Sequence, residues 1–141
     1  MGRIVLALKT AGILAACLMS AAFALMLAAS PVFQGGQNYE LYLGASSSSR
    51  QLVTDNPLRD KLLLPVVGES ARYDGDRAEE IISAFKGTLQ FTEEADGVVN
   101  YYLYSQMLGE PVLLNGYAVN LHVAVRSERT AVGTPLIFGG F

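Results

Sequence analysis

The sequence of 141 residues is poor in the residue types on which many enzymes and metal sites depend. It has one cysteine, one histidine and no tryptophan. With Cys17 as the only cysteine, an internal disulfide is excluded. With His122 as the only histidine, the clustered histidine and cysteine ligands typical of zinc are excluded too. We therefore expect no metal and no cofactor, and we predict no catalytic residue.

Charge is absent from a long stretch, because no charged residue lies between Lys9 and Glu40. This stretch contains an apolar run at 10–29, and a helix of about 20 apolar residues spans a hydrocarbon core of about 30 Å. Arg3 and Lys9 precede the run, and positively charged flanks stay on the cytoplasmic side. The sequence therefore predicts a single-pass protein of the cell membrane, with a cytoplasmic N-terminus and a domain outside.

Two other fates of this segment stay open. A cleaved signal peptide has a shorter apolar core of about 7–15 residues, and Pro31 lies close to any cleavage near Ala29. The tetrapeptide Leu-Ala-Ala-Cys at 14–17 has the form of a bacterial lipobox, which makes Cys17 a candidate lipidation site. It can equally arise by chance in an alanine-rich helix, where a cysteine is only a small hydrophobe. A secreted or lipid-anchored domain with a structural role therefore remains an alternative.

The remainder of the chain is long enough for one domain. We divide the chain into a membrane or signal segment at 1–30, a juxtamembrane linker at 31–38 and an extracytoplasmic domain at 39–141. Two of the ten basic residues precede the domain, so eight face all thirteen acidic residues and its net charge is −5. Its basic residues are scattered singly, whereas nucleic-acid binding needs a clustered basic face. We expect the membrane as a partner, but no nucleic acid.

Apolar spacing predicts one main helix at 77–86. Ala, Ile, Ile and Phe recur there at positions that share one face of a helix. Asp76 is the expected N-terminal cap, and Gly87 is the expected left-handed stop. The pair Asn56–Pro57 predicts the start of a second, shorter helix.

From residue 88 onward the apolar period is close to two, which is typical of strands. Asp96–Gly97 and Asn115–Gly116 indicate hairpin turns. With a first strand near 39–43, the prediction is an α+β domain behind an N-terminal transmembrane helix. It has two layers: a mainly antiparallel sheet of about five strands, and one main helix on one face of that sheet.

The last predicted strand, 131–138, contains Gly133 and Pro135. Both residues interrupt a strand ladder, which favours an edge position or a bulge. A free edge near 133–138 could accept a partner by strand addition. This edge is one of two candidate working surfaces.

The other candidate surface is a sheet face. In the strand predicted at 118–126, the odd positions are large and apolar and the even positions are small or polar, so one face should be core and the other partly wet. Asn120 and His122 lie on the wet face, while Tyr102 and Tyr104 share a face of another strand. Because tyrosine is enriched where partners bind, these four are the candidate binding residues for an unknown envelope protein or ligand. On this hypothesis, replacing Asn120 and His122 by alanine should leave stability nearly unchanged.

A competing hypothesis is a small envelope hydrolase that uses His122 with a nearby serine or carboxylate, such as Ser105 or Glu110. A general base must lie within hydrogen-bond reach of its partner, and the sequence has no G-x-S-x-G context for a nucleophile. A third hypothesis is a structural or assembly role, in which small residues of the apolar segment pack against a second copy.

Two stretches near the C-terminus form a recognisable pattern: Asn-Leu-His-Val-Ala-Val-Arg-Ser at 120–127 and Thr-Ala-Val-Gly-Thr-Pro-Leu-Ile at 130–137. They resemble the C-terminal end of the YwmB family of small exported bacterial proteins, and the likeness continues back to about residue 77. The resemblance implies a TATA-box-binding-protein-like fold, a curved antiparallel sheet with helices on one face. The family has no assigned catalytic residues. This chain is short for the family, which argues against a complete two-part saddle.

The leading hypothesis from the sequence is a membrane-anchored, extracytoplasmic, non-enzymatic interaction domain of the bacterial cell envelope. The apolar segment, the acidic balance and the lack of a catalytic constellation motivate it. Family context alone adds a connection to sporulation-related envelope processes.

Overall fold

The computed structural model describes residues 2–44 and 46–139, and the chain divides into two compact units with the boundary after Ser30. The first unit is helix α1, Gly2–Ala29, which is about 42 Å long at 1.5 Å per residue. Its segment Ile4–Ala29 is long and apolar enough to cross a membrane. The predicted N-terminal apolar helix is therefore present.

Two hydroxyl side chains inside α1 form hydrogen bonds to the main chain of the same helix. Thr10 Oγ1 donates to the carbonyl of Ala7 and Ser20 Oγ donates to the carbonyl of Ala16, both at 2.9 Å. Polar groups in hydrocarbon need internal partners of this kind, so α1 can enter a bilayer without leaving these hydroxyls unpaired. Cys17 lies in the middle of the same helix and is exposed.

The second unit contains two short helices and nine strands within its described residues. The helices are α2 (Pro57–Leu63) and α3 (Ala78–Ala84). The strands are β1 (Gln37–Tyr42), β2 (Gln51–Thr54), β3 (Gly68–Asp74), β4 (Thr88–Ala95), β5 (Val98–Tyr104), β6 (Val112–Leu114), β7 (Tyr117–Val119), β8 (Leu121–Arg126) and β9 (Arg129–Thr134).

Seven of the strands form one antiparallel sheet in the order β2-β1-β3-β9-β8-β5-β4, and β6 and β7 form a separate hairpin. The predicted α+β class and mainly antiparallel sheet are confirmed, with more strands than the expected five. The predicted edge position of the last strand is wrong, because β9 lies between β3 and β8. A Cβ on Gly133 would meet the main chain of Leu136 and Ile137 within 3 Å. Gly133 is therefore required because the chain folds back over β9.

The core lies between the sheet and α3. Ile81 of α3 packs in one cluster with Leu121 and Val123 of β8, Leu103 of β5 and the aromatic Phe33. The predicted core positions of β8 are thus confirmed, and the apolar stripe of α3 faces them. Burial of these large side chains is the main contribution to the stability of the domain.

Helix α3 begins at Ala78, one residue later than predicted, with Arg77 at the N-cap position, but Asp76 still bonds to its first turn. Asp76 Oδ1 accepts from the N–H of Ala78 at 3.1 Å. At the other end Lys86, with φ +50°, takes the left-handed position expected for Gly87. The N–H groups of Lys86 and Gly87 donate to the carbonyls of Ser83 and Ile82, which is a Schellman motif. Gly87 lies close to the core instead, because a Cβ there would lie 3.1 Å from the side chain of Leu103 and 3.2 Å from that of Leu121.

The predicted hairpin turns and the shorter helix are also found. Asp96 and Gly97 both have positive φ, as do Asn115 and Gly116, which is the geometry of a two-residue type I′ turn. Asn56 caps α2, since its Oδ1 accepts from the N–H of Arg59 at 3.2 Å.

The segment 31–38, predicted as a linker, is packed into the second unit. Phe33 is buried, and its ring meets the ring of Phe85 edge-on at 5.4 Å. The hydroxyl of Tyr39 donates to the carbonyl of Phe33 at 2.6 Å. The main-chain N–H groups of Val32 and Phe33 both donate to the carboxylate of Glu69. The domain therefore begins directly after residue 30.

The chain after β9 covers part of the sheet face opposite α3. The N–H of Ile137 donates to His122 Nδ1 at 3.3 Å, and the N–H of Phe138 donates to the hydroxyl of Tyr42 at 3.1 Å. Gln51 Nε2 donates to the carbonyl of Phe138 at 3.3 Å. We call residues 135–139 the return segment. It divides this face into a covered part over the middle of the sheet and an open part over β4 and β5.

Candidate functional site

Four rings in contact run along this face from its open part to the covered His122, and we call them the aromatic row: Tyr117, Phe91, Tyr102 and His122. The centroids of Tyr117 and Phe91 are 5.5 Å apart, those of Phe91 and Tyr102 are 4.4 Å apart, and those of Tyr102 and His122 are 4.4 Å apart. The row runs across three adjacent strands and ends on the β6–β7 hairpin. It is therefore held by the sheet and not by a loop.

Strand register explains why these rings meet. Phe91 in β4 lies opposite Tyr102 in β5, and Tyr102 lies opposite His122 in β8. Neighbouring strands are about 4.8 Å apart, so side chains at matching positions stack at nearly the strand spacing. Cross-strand aromatic pairs of this kind stabilise a sheet.

The orientation of the rings determines what the row can offer to a partner. Phe91 and Tyr102 are inclined by 20°, and Tyr102 and His122 by 21°, so the flat faces of Tyr102 are occupied inside the row. For Tyr102 this leaves the rim of the ring and the hydroxyl group to contact a partner. This arrangement does not leave a face of Tyr102 for stacking on a sugar, whereas the rims suit the apolar side chains of a protein surface.

One border of the row is acidic. The hydroxyl of Tyr102 donates to Glu93 Oε2 at 3.3 Å. Burial raises the pKa of Tyr102, and the nearby charge of Glu93 raises it further. Tyr102 therefore stays protonated at neutral pH and keeps donating to Glu93.

His122 is neutral, because burial lowers its pKa to about 4. Its Nδ1 accepts from the N–H of Ile137, which places the proton on Nε2, and Nε2 in turn donates to Asn100 Oδ1 at 3.0 Å. In the described part of the chain, no serine, aspartate or glutamate side chain bonds to this ring. The contact that the hydrolase hypothesis requires is therefore missing, and Ser105 Oγ donates to the carbonyl of Phe85 instead.

The side chain of Asn120 has a structural role. Its Oδ1 accepts from the N–H of Ser105 at 2.7 Å, and its Nδ2 donates to the carbonyls of Ser105 and Gly109, both at 2.8 Å. Asn120 is 1% exposed and His122 is 7% exposed. The prediction that both residues lie on a wet face is therefore wrong. Because both side chains are buried and hydrogen-bonded, we now expect their replacement by alanine to lower stability. The return segment covers His122, and the turn at 105–109 closes over Asn120.

Tyr104 lies on the same sheet face as Tyr102, as predicted, but it makes no ring contact with the row. It lines a separate cavity of about 370 Å³. Of the four predicted binding residues, the structure brings together only Tyr102 and His122. Among residues 2–44 and 46–139, no group of three or more histidine, cysteine, aspartate or glutamate side chains could hold a metal ion.

Phe91 and Tyr117 belong to the row but were not predicted. The position of Phe91 could have been predicted from the sequence. A two-residue turn at Asp96–Gly97 fixes the pairing of the strands on both sides, and counting back from the turn places Phe91 opposite Tyr102. Tyr117 comes from a separate hairpin, and local pairing does not place that hairpin.

A comparison of the chain with known protein families, with curated proteins and with solved structures found no match.

Proposed function

We propose that this protein is a membrane-anchored interaction domain, located outside the cytoplasm, that holds a partner protein of the bacterial cell envelope through the aromatic row. The observation that carries the proposal is the continuous row of three aromatic rings on the open part of the sheet face, ending at Tyr117, which is 48% exposed. Aromatic side chains on a rigid support are the residues that most often dominate binding energy at protein interfaces.

Helix α1 supports the anchoring part of the proposal. It is long and apolar enough to cross a membrane, and the positive residues before the apolar run favour a cytoplasmic N-terminus. A domain on the far side of the membrane would then present the aromatic row to envelope proteins.

The resemblance to the YwmB family supports a role in envelope processes, including those of sporulation. The antiparallel sheet, with α3 on one face, is compatible with the fold which that resemblance implies. Neither the resemblance nor the surroundings of His122 point to a catalytic residue, so we propose a binding function without catalysis.

The test of the aromatic row is in-cell crosslinking of the full chain followed by capture. Replacing Tyr117 and Phe91 by alanine should lower the yield of the crosslinked partner by about tenfold, the loss expected from removing one interface hot spot. Leu113→Ala is the matched control, because Leu113 is an exposed apolar residue on the opposite face of the same hairpin. Equal yields from the native chain and the double variant would remove the row as the working surface.

The test of the anchor is the intact mass of the protein extracted from the membranes of its own host. A full-length mass supports the single-pass anchor. A mass that begins at Cys17 and includes lipid would make the protein a lipoprotein. Loss of about 29 residues, as expected for signal-peptide cleavage, would make it a secreted domain.

A further inference from the structure

Strand β4 forms one edge of the sheet. Within residues 2–44 and 46–139, no strand pairs with its outer side. The strand has eight residues, whereas β2 at the opposite edge has four. Edge strands expose unpaired main-chain groups, and natural proteins usually keep such edges short or block them with proline or lysine. β4 contains neither proline nor lysine, and its one register irregularity, between Leu89 and Phe91, lies before the segment 92–94.

The outward main-chain groups of β4 follow from the register. The turn at Asp96–Gly97 closes on Ala95 and Val98, which pair by exchanging main-chain hydrogen bonds. Along an antiparallel pair the bonded positions alternate, so Glu93 also bonds to β5. Thr92 and Glu94 therefore turn their N–H and C=O groups away from the sheet and toward solvent.

The side chains at this edge are acidic. Glu93 and Glu94 are consecutive and exposed, so their carboxylates lie on opposite faces of the strand. Like charges that face each other across two strands are destabilising, and opposite charges are stabilising. Pairing of β4 with the same strand of a second copy would bring these glutamates together. The edge therefore disfavours a second copy and favours a basic strand.

We propose that β4 binds an extended basic segment of a partner protein by strand addition. Thr92 and Glu94 supply the main-chain hydrogen bonds, and lysine or arginine side chains of the partner pair with Glu93 on one face and Glu94 on the other. Phe91 lies on the same strand, so the added segment borders the aromatic row. The inference rests on the proposed function, because it specifies the chemistry of the partner that this surface holds.

The first experiment is a titration of the full chain in detergent micelles with a fluorescent peptide of alternating threonine and valine that carries two adjacent lysines at its centre. The Glu93→Lys/Glu94→Lys variant should bind this peptide about tenfold more weakly than the native chain, because two favourable cross-strand pairs become repulsive. A matched peptide with glutamates in place of the lysines should prefer the variant. Added salt should weaken the binding of the lysine peptide to the native chain.

The second experiment tests the main chain. Thr92→Pro removes an outward N–H, a change that edge strands tolerate, and should abolish binding of the lysine peptide. Thr92→Ala keeps the N–H and should bind like the native chain. Circular dichroism of both variants establishes that the fold is kept.

Two results would overturn the proposal. One is equal binding of the lysine peptide by the native chain and by both the charge-reversed and the proline variants. The other is dimerisation of the native chain in light scattering that Thr92→Pro abolishes, because the occupant of the edge would then be a second copy. Neither result affects crosslinking through Tyr117, so failure of the edge proposal and failure of the aromatic row are distinguishable.

Discussion

Two buried carboxylates, Glu69 in β3 and Glu40 in β1, lie on opposite faces of the same sheet. Glu69 has a full set of partners: one oxygen accepts from the N–H groups of Val32 and Phe33, and the other lies 2.6 Å from Lys61 Nζ. Glu40 Oε1 lies 3.0 Å from Arg72 Nη2, but its Oε2 has no hydrogen-bond partner among the described residues.

The two carboxylates contact opposite ends of the domain's sequence. Glu69 holds the chain where it enters the domain, and Glu40 lies beneath Gly139, where the return segment crosses the sheet. Burying a charge with an unpaired oxygen lowers the stability of the folded protein. A fully paired buried charge does so strongly only when one of its partners is removed. We therefore expect the contact of Glu69 with Val32 and Phe33 to contribute more to stability than the contact of Glu40 with the return segment.

The largest effect should come from Glu69→Gln. It removes the carboxylate charge that lies 2.6 Å from Lys61 Nζ, and breaking a buried ion pair in this way costs about 3–5 kcal/mol of the free energy of unfolding. Urea unfolding followed by tyrosine fluorescence measures this loss. Glu79→Gln, on the exposed face of α3, should stay within about 0.5 kcal/mol. The Glu69→Gln/Lys61→Met double variant should recover part of the loss, and no recovery would contradict the pairing.

Acid should loosen the return segment through His122, whose Nδ1 receives the N–H of Ile137. Its folded pKa of about 4 lies below the ordinary value of 6.5, so between these two values the unfolded chain binds more protons. Stability should therefore fall as the pH drops from 6.5 to 4, by up to about 3 kcal/mol. Urea unfolding at several pH values measures this slope. The slope should be smaller in His122→Gln, and superimposable profiles would contradict the prediction.

Gly139→Ala tests the contact of the return segment with Glu40. A Cβ at this position would overlap Glu40 Oε2, so the segment must shift, at a cost of about 1–3 kcal/mol typical of overpacking. Thermal unfolding measures the loss. Gly109→Ala is the control, because a Cβ there has nothing within 4 Å. The cost should shrink when Glu40 is also replaced by alanine, and an unchanged cost would show that the contact does not cause the loss.

Glu40→Gln should have the smallest effect. It loses the charge attraction to Arg72 but also removes a buried charge that was only half satisfied, so the net change in the free energy of unfolding should be within about 1 kcal/mol. The difference from Glu69→Gln, measured in the same urea series, should be at least about 2 kcal/mol. Equal losses of unfolding free energy in the two variants would show that the two carboxylates contribute equally to stability.

Local chemistry predicted the parts of the fold that are decided locally. Asp96–Gly97 and Asn115–Gly116 are turns because these residues adopt positive φ readily. Helix α3 has its core-facing stripe because apolar spacing determines which side is buried. Lys86 takes the left-handed position expected for Gly87. The close approach of Gly87 to Leu103 and Leu121 depends on distant strands, so the local sequence does not reveal it.

Long-range pairing explains the errors. The position of β9 in the sheet depends on β3, some 60 residues earlier, so Gly133 alone could not reveal it. His122 looked exposed because its strand alternates, and the segment that covers it is defined only by the folded chain. In the candidate site, the sequence pointed to Tyr102 and His122 as separate residues. Their contact could not be predicted, because it depends on the pairing of β5 with β8.

The central position of β9 has a consequence for the order of folding. Until residues 129–134 have been synthesised, β2-β1-β3 and β8-β5-β4 are two separate sheet fragments. β3 and β8 are then open edges, and such edges invite pairing with other chains. Closure joins segments far apart in sequence, which is a slow step in folding. The nascent chain is therefore most vulnerable to aggregation just before its last strand emerges, and a chaperone that shields β3 and β8 would act at that moment.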